Sequence, residues 1–252
     1  MELIIKKHSR IDLLDAVRGI AILAMVFYHA LFDLQDVFQI NTHIFSMLEI
    51  FEPPFAGAFI LLAGVSCRFS HNNYLRGLKV LALAMAVTVV TVLLIPGQSI
   101  YFGILHFMGV SILIYALFGR WIEKIPVRAG LVLWGLLFVL TCLLPLTGSI
   151  GIPGLWMLVI PGSFYSIPGS FLFGLPGPDF YSADYFPLIP WIFLFLAGAA
   201  AGLPIRQNKL PEKFYTMKVP FLAAVGRNTL LIYALHQPVI YGLLFLFVKG
   251  TK

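Results

Sequence analysis

Seven apolar runs, near residues 13–34, 53–70, 78–95, 101–119, 129–146, 186–203 and 228–248, divide this chain. Each approaches the roughly 20 residues an α-helix needs to cross the hydrocarbon of a bilayer. Backbone at that depth has no water to bond, so each run is expected to be a helix that satisfies its own N–H and C=O groups. With 60% hydrophobic and only 11% charged residues, the soluble globular class is excluded. A chain of 252 residues holds about seven spans and little else. The expected fold is therefore an all-α, polytopic transmembrane helical bundle, one transmembrane domain over residues 1–252. The first run is too long for a signal peptide, is interrupted by charge and lacks a small-residue cleavage site, so it reads as a retained helix.

The connections alternate in charge. Fifteen of the 17 cations fall on one side: Lys6, Lys7, Arg10 and Arg18; Arg68, Arg76 and Lys79; Arg120, Lys124 and Arg128; and Arg206, Lys209, Lys213, Lys218 and Arg227. The intervening connections 35–52, 96–100 and 147–185 hold none. The positive-inside rule then makes the N-terminus and the basic loops cytoplasmic, in a multi-pass protein of the cell (inner) membrane. This asymmetry accounts for the net charge of +6 without a nucleic-acid partner, since no basic run is interleaved with aromatics. Segment 147–185 is apolar and rich in Pro and Gly, and a single extra span there would reverse the parity. An even number of passes is expected, as a re-entrant or surface-lying hairpin. Asp179 and Asp184 follow it beside Phe180, Tyr181, Tyr185 and Phe186, aromatics that a lipid-interface belt explains equally well.

Cys67 and Cys142 sit in apolar segments without metal-ligand or redox spacing, so no metal is expected. The polar residues inside the apolar runs carry more information, because such groups are costly at membrane depth. Arg18 and His29 are eleven apart, which on a helix is about 20° in azimuth and roughly 16 Å in height. They share a face, Arg18 near a membrane surface and His29 well inside, and Asp33 returns to that face one turn on. A carboxylate one turn from an imidazole can fix its tautomer and raise its basicity, fitting His29 to remove a proton. The plain alternative is a His that bridges neighbouring helices, with Asp33 marking the outer surface. Asp15 and Arg18 are either an interfacial ion pair or, with Arg18 turned inward, a fork for a phosphate. Tyr101 and His106 open the fourth run, where His106 is as readily a packing residue as a site residue. In the last run Arg227 and Asn228 sit at the inner surface and His236, followed by Gln237 and Pro238, lies about 12 Å deeper. The last run thus echoes the first.

Five ordered motifs carry a resemblance: Asp15-x-x-Arg18-Gly19-Ile20-Ala21; His29-x-x-x-Asp33; Tyr101-Phe102-Gly103-Ile104-Leu105-His106; Asp184-Tyr185-Phe186-Pro187-Leu188-x-Pro190-Trp191; and Gly226-Arg227-Asn228-Thr229-Leu230. The first-helix pattern resembles that of integral-membrane acyltransferases. The whole set, over about residues 10 to 240, resembles the short bacterial and archaeal branch of the heparan-α-glucosaminide N-acetyltransferase catalytic-domain family. The resemblance implies transfer of an acetyl group from cytosolic acetyl-CoA to an acceptor, a sugar or other small amine or alcohol, on the far side of the membrane. The sugar-modifying members have additional spans. Where the animal enzyme has asparagine on the first helix this chain has His29, and only His43 stands near the position of that enzyme's proposed catalytic histidine.

The expectation is a membrane acyltransferase with His29 and Asp33 as catalytic residues. Arg18, Arg227, Asn228, Arg68 and Arg76 would hold the acyl-CoA, and Tyr101, His106, Asp184, Trp191, His236 and Gln237 are pocket candidates. Its partners would be the lipid bilayer, acyl-CoA and a small-molecule or glycan acceptor; a homo-oligomer is compatible with the chain. The alternative is a small-molecule transporter or channel with His29–Asp33 as proton relay, which the lack of an internal repeat disfavours. A non-catalytic membrane assembly subunit is the third.

Overall fold

The computed structural model describes residues 11–38 and 52–250. Lys6, Lys7, Arg10, His43 and Lys252 lie outside the described residues. Among those described, six helices are long and apolar enough to cross a membrane, and a shorter apolar helix covers Pro53–Cys67. These follow the seven apolar runs of the sequence. The protein is multi-pass and nearly all-α.

The chain forms two compact units, residues 1–59 with 208–252, and residues 60–207. In the first, α1 (Asp12–Phe32) runs directly into a π-helical stretch, Asp33–Val37. Asp12 and Asp15 occupy the first turn of α1, where the exposed N–H groups favour negative charge. The membrane helix α1 is followed, late in the chain, by a long helix from Thr229 to Gly250, reached through two short helices, Glu212–Thr216 and Pro220–Arg227. The second of these packs on α1 backbone to backbone. A Cβ on Gly19 would collide with the Leu222 carbonyl oxygen, and one on Gly226 with the Asp15 carbonyl oxygen. Without a hydrophobic drive in lipid, helices associate through such close approach at small residues.

Numbered in chain order, the remaining elements are α2 (Glu52–Cys67), α3 (Asn73–Leu94), α4 (Ile104–Ile122), α5 (Val127–Thr141), α6 (Leu144–Thr147), β1 (Ser149–Ile152), β2 (Trp156–Val159) and α7 (Leu188–Arg206). The short helices Glu212–Thr216 and Pro220–Arg227 are then α8 and α9, and the last long helix is α10. In the second unit glycines again set the approach distance: Gly64 faces the Phe195 carbonyl, and Gly198 the Leu61 carbonyl. The outward faces are apolar, as on α3 at Met85, Val89 and Leu93 and on α5 at Val132, Leu136 and Val139. Lipid rather than water suits them.

Segment 147–185 contains no helix long enough to cross a membrane. It holds an antiparallel pair, Ser149↔Val159 to Ile152↔Trp156, closed by Pro153, Gly154 and Leu155. Gly154 has φ +80, a conformation that favours glycine in a three-residue hairpin loop. Two 3-10 turns follow, Gly162–Ser166 and Ser170–Phe173. Within the segment expected to form a re-entrant or surface-lying hairpin, residues 149–159 make a β-hairpin, a small departure from an all-α architecture. Its strands lack a polar–apolar alternation because β2 is apolar on both faces.

Candidate functional site

In the first unit α1 and α10 carry the polar ladder. The His29 and His236 rings lie 5.0 Å apart between centroids. One turn further, Gln237 Nε2 donates to Asp33 Oδ1 at 3.1 Å. Asp33 is only 2% exposed and His236 8%. The expected pairing of His29 with Asp33 is not made. The carboxyl group bonds Gln237 with one oxygen, and its Oδ2 is buried without a partner among the described residues. Each side chain of the expected dyad has instead a neighbour on α10: the imidazole meets an imidazole and the carboxyl meets a carboxamide. His236 Nδ1 lies 2.6 Å from the Tyr233 carbonyl oxygen, which can only accept, so Nδ1 carries the hydrogen. Pro238, inside α10, lacks the N–H that would bond the preceding turn.

The cations nominated by the sequence meet different fates. Arg18 forms an ion pair with Asp15 within α1. Gly226, where an added Cβ would strike the Asp15 carbonyl, immediately precedes Arg227, so Arg18 and Arg227 belong to one end of this unit. Arg227 is exposed in the last turn of α9, where its charge complements the C-terminal carbonyls. Asn228 Nδ2 caps that helix by donating to the Ala224 carbonyl at 2.9 Å. Lys218 pairs with Asp12 at 3.3 Å.

Arg68, in the second unit, already has partners inside the protein. Its Nε donates to the Ala199 carbonyl at 2.8 Å and its Nη1 pairs with Glu123 at 2.8 Å, with the side chain only 4% exposed. Tyr115 donates to the same Glu123 carboxylate and lies beneath the guanidinium. This cluster joins α2, α4 and α7, and it removes Arg68 from the set available to a phosphate. Sequence reasoning missed Glu123 and Tyr115; the only signal was that Glu123 is a rare acid among basic loop residues. Arg76 lies 3.9 Å from Cys67 Sγ.

The remaining candidates also belong to the second unit. Gly103 N–H donates to His106 Nδ1 at 3.2 Å, so the ring hydrogen sits on Nε2, which lies 3.0 Å from Thr88 Oγ1. Thr88 in turn donates to the Ile100 carbonyl at 2.7 Å. Both nitrogens of His106 are therefore engaged in holding the start of α4. Ile104 N–H donates to Asp184 Oδ2 at 3.0 Å, and a Cβ at Gly103 would strike that oxygen. The Tyr101 and Asp184 motifs are thus brought together, through the backbone: Tyr101 N–H donates to Ser182 Oγ, while its ring is half exposed. Tyr185 donates to the Phe171 carbonyl, and burial pushes its phenol above the usual range, so it stays a donor. Trp191 packs between Phe138 and Phe186 at 5.7 and 5.3 Å.

Membrane-length helices, with two imidazoles side by side and a carboxyl bonded to a carboxamide where the first and last of them meet, define a multi-pass membrane protein with a polar cluster. A family model described as the catalytic domain of heparan-alpha-glucosaminide N-acetyltransferase matches residues 10–238, nearly the whole chain, and the chain belongs to that family. It is a membrane protein of an acetyltransferase family. No match was found among the curated proteins or among the solved structures.

Proposed function

We propose that this protein is an integral-membrane acyltransferase that moves an acetyl group from cytosolic acetyl-CoA to a small-molecule or glycan acceptor on the far side of the bilayer. The observation that carries this reading is the His29–His236 and Asp33–Gln237 ladder, in which Asp33 and His236 are buried, in a chain of an acetyltransferase family. Buried polar groups at membrane depth are expensive and are retained for function. A desolvated imidazole beside a carboxyl group is suited to moving the acceptor's proton as the thioester is attacked.

On the donor side, Arg227 and Arg18 are the residues proposed to hold the acyl-CoA phosphates, with Asn228 shaping the turn between α9 and α10 and Arg76 as a further cation. Arg18 would exchange the Asp15 carboxylate for a phosphate, which the planar guanidinium binds in the same two-pronged manner. His29 and Asp33 are the proposed catalytic pair, each acting with its α10 neighbour rather than with the other.

The test is purified protein in lipid vesicles given labelled acetyl-CoA, with glucosamine as the probe acceptor. Saturable acetyl-CoA binding and label transfer are expected. Absence of acetyl-CoA binding by folded protein would overturn the proposal, and proton-coupled uptake of a solute without transfer would replace it with the transporter.

A further inference from the structure

We propose that His236 accepts the proton from the acceptor's nucleophile, and that Asp33 and Gln237 position that group. The proposal rests on the acyltransferase reading above and assigns within it a role that His29 would otherwise hold.

Tautomer comes first. A carbonyl cannot donate, so the 2.6 Å contact to Tyr233 fixes the hydrogen of His236 on Nδ1. In the neutral ring the lone pair is then on Nε2, and that atom is buried with no partner among the described residues. His106 is the contrast: both of its nitrogens are engaged with neighbours, and it has no lone pair to offer.

The surroundings point the same way. Asp33 Oδ2 and Gln237 Oε1 are also buried without partners among the described residues. Gln237 has its amide nitrogen turned to the carboxylate, which leaves its oxygen outward from that bond. His236 Nε2 and Gln237 Oε1 can only accept a hydrogen bond, and Asp33 Oδ2 accepts one whenever the carboxyl is ionised. Burying such an atom unpaired costs about 1–3 kcal/mol. A ligand that brings hydrogens on N or O removes that penalty; a thioester carbonyl or a phosphate brings only more acceptors. The cluster therefore fits the N–H or O–H of the acceptor substrate better than the thioester carbonyl or the phosphates of the donor, which leaves the thioester to the His29 side.

The X–H bond of the acceptor breaks towards His236 Nε2 and its electron pair stays on X. X attacks the thioester carbonyl carbon, the C–S bond breaks, and CoA leaves as thiolate, which then takes the proton from the imidazolium. Acceptor and acetyl-CoA become acetylated acceptor and free CoA.

His236→Gln and His29→Gln are compared in vesicles with labelled acetyl-CoA and glucosamine. His236→Gln should lower turnover at least ~100-fold, flatten the acid limb of the pH–rate profile and leave acetyl-CoA affinity within about threefold. Added imidazole should restore part of the rate to His236→Ala. Turnover above about a third of normal in His236→Gln, or imidazole rescue confined to His29→Ala, overturns the assignment. A second readout does not need activity: nitrogen NMR of ¹⁵N-histidine-labelled protein should find His236 protonated at Nδ1, with an Nε2 signal that moves when glucosamine is added. An Nε2–H tautomer, or an Nε2 signal indifferent to glucosamine, sinks the proposal. If acetyl-CoA does not bind at all while that signal responds, the acyltransferase reading fails and what stands is a site for a hydrogen-bond-donating ligand at His236.

Discussion

Arg68 and Arg227 both flank apolar runs on the basic side of the chain, and from the sequence they look interchangeable. Folding separates them. Arg68 is enclosed, bonded to a backbone carbonyl and a carboxylate, whereas Arg227 ends an exposed helix turn. Arg68→Ala should therefore cost stability, about 2–4 kcal/mol, below the full penalty for a broken buried pair because Glu123 remains half exposed. Thermal melting in detergent checks this, and acetyl-CoA affinity of the surviving folded fraction should be unchanged. Arg227→Ala should do the reverse: stability within about 0.5 kcal/mol and acetyl-CoA binding weaker by ~1.5–3 kcal/mol, the scale of a charge-assisted hydrogen bond. Equal stability losses in the two variants would contradict the assignment. At this scale the sequence was informative about which residues matter and poor on their partners. Helical spacing placed His29 and Asp33 on one face, and both are on the ladder. Spacing within one helix says nothing of which helix packs against it, so Gln237 as the carboxyl's partner and Glu123 as Arg68's were not legible.

Among the elements, the long helices were readable because 20 apolar residues in lipid have one local solution, and the helix ends fall within a few residues of the runs. The β-hairpin of Ser149–Ile152 and Trp156–Val159 was not, because its strands are short and apolar on both faces. The contact between α1 and α9 depends on something no periodicity reveals, the absence of a Cβ at Gly19 and Gly226. Gly226→Ala should push α9 from α1, costing about 1–3 kcal/mol as overpacking does. Gly97→Ala, with nothing within 4 Å of the added carbon, is the control and should melt at the wild-type temperature. Because Gly226 seats the turn that presents Arg227, Gly226→Ala should also weaken acetyl-CoA binding; a variant that melts early with normal affinity would detach the packing from the donor site.

For the whole molecule, the strongest constraint is the distribution of charge over the spans. The 15 cations gather on alternate connections, and no helix within 147–185 is long enough to reverse that alternation. The one membrane-length helix between residue 163, in the apolar segment, and residue 209, in the basic one, is α7. The two positions should therefore report opposite faces of the membrane. In a chain with Cys142 replaced by serine, Ser163→Cys should react with a membrane-impermeant maleimide on intact cells, and Lys209→Cys only after permeabilisation. Both residues are exposed, and Lys209 carries no structural ion pair among the described residues, so neither change should disturb the fold. Reaction of both from one side would mean that α7 does not cross. The reversed pattern would place Arg18 and Arg227 outside, away from any cytosolic acyl-CoA, and the donor site proposed for them would have to be abandoned along with the topology.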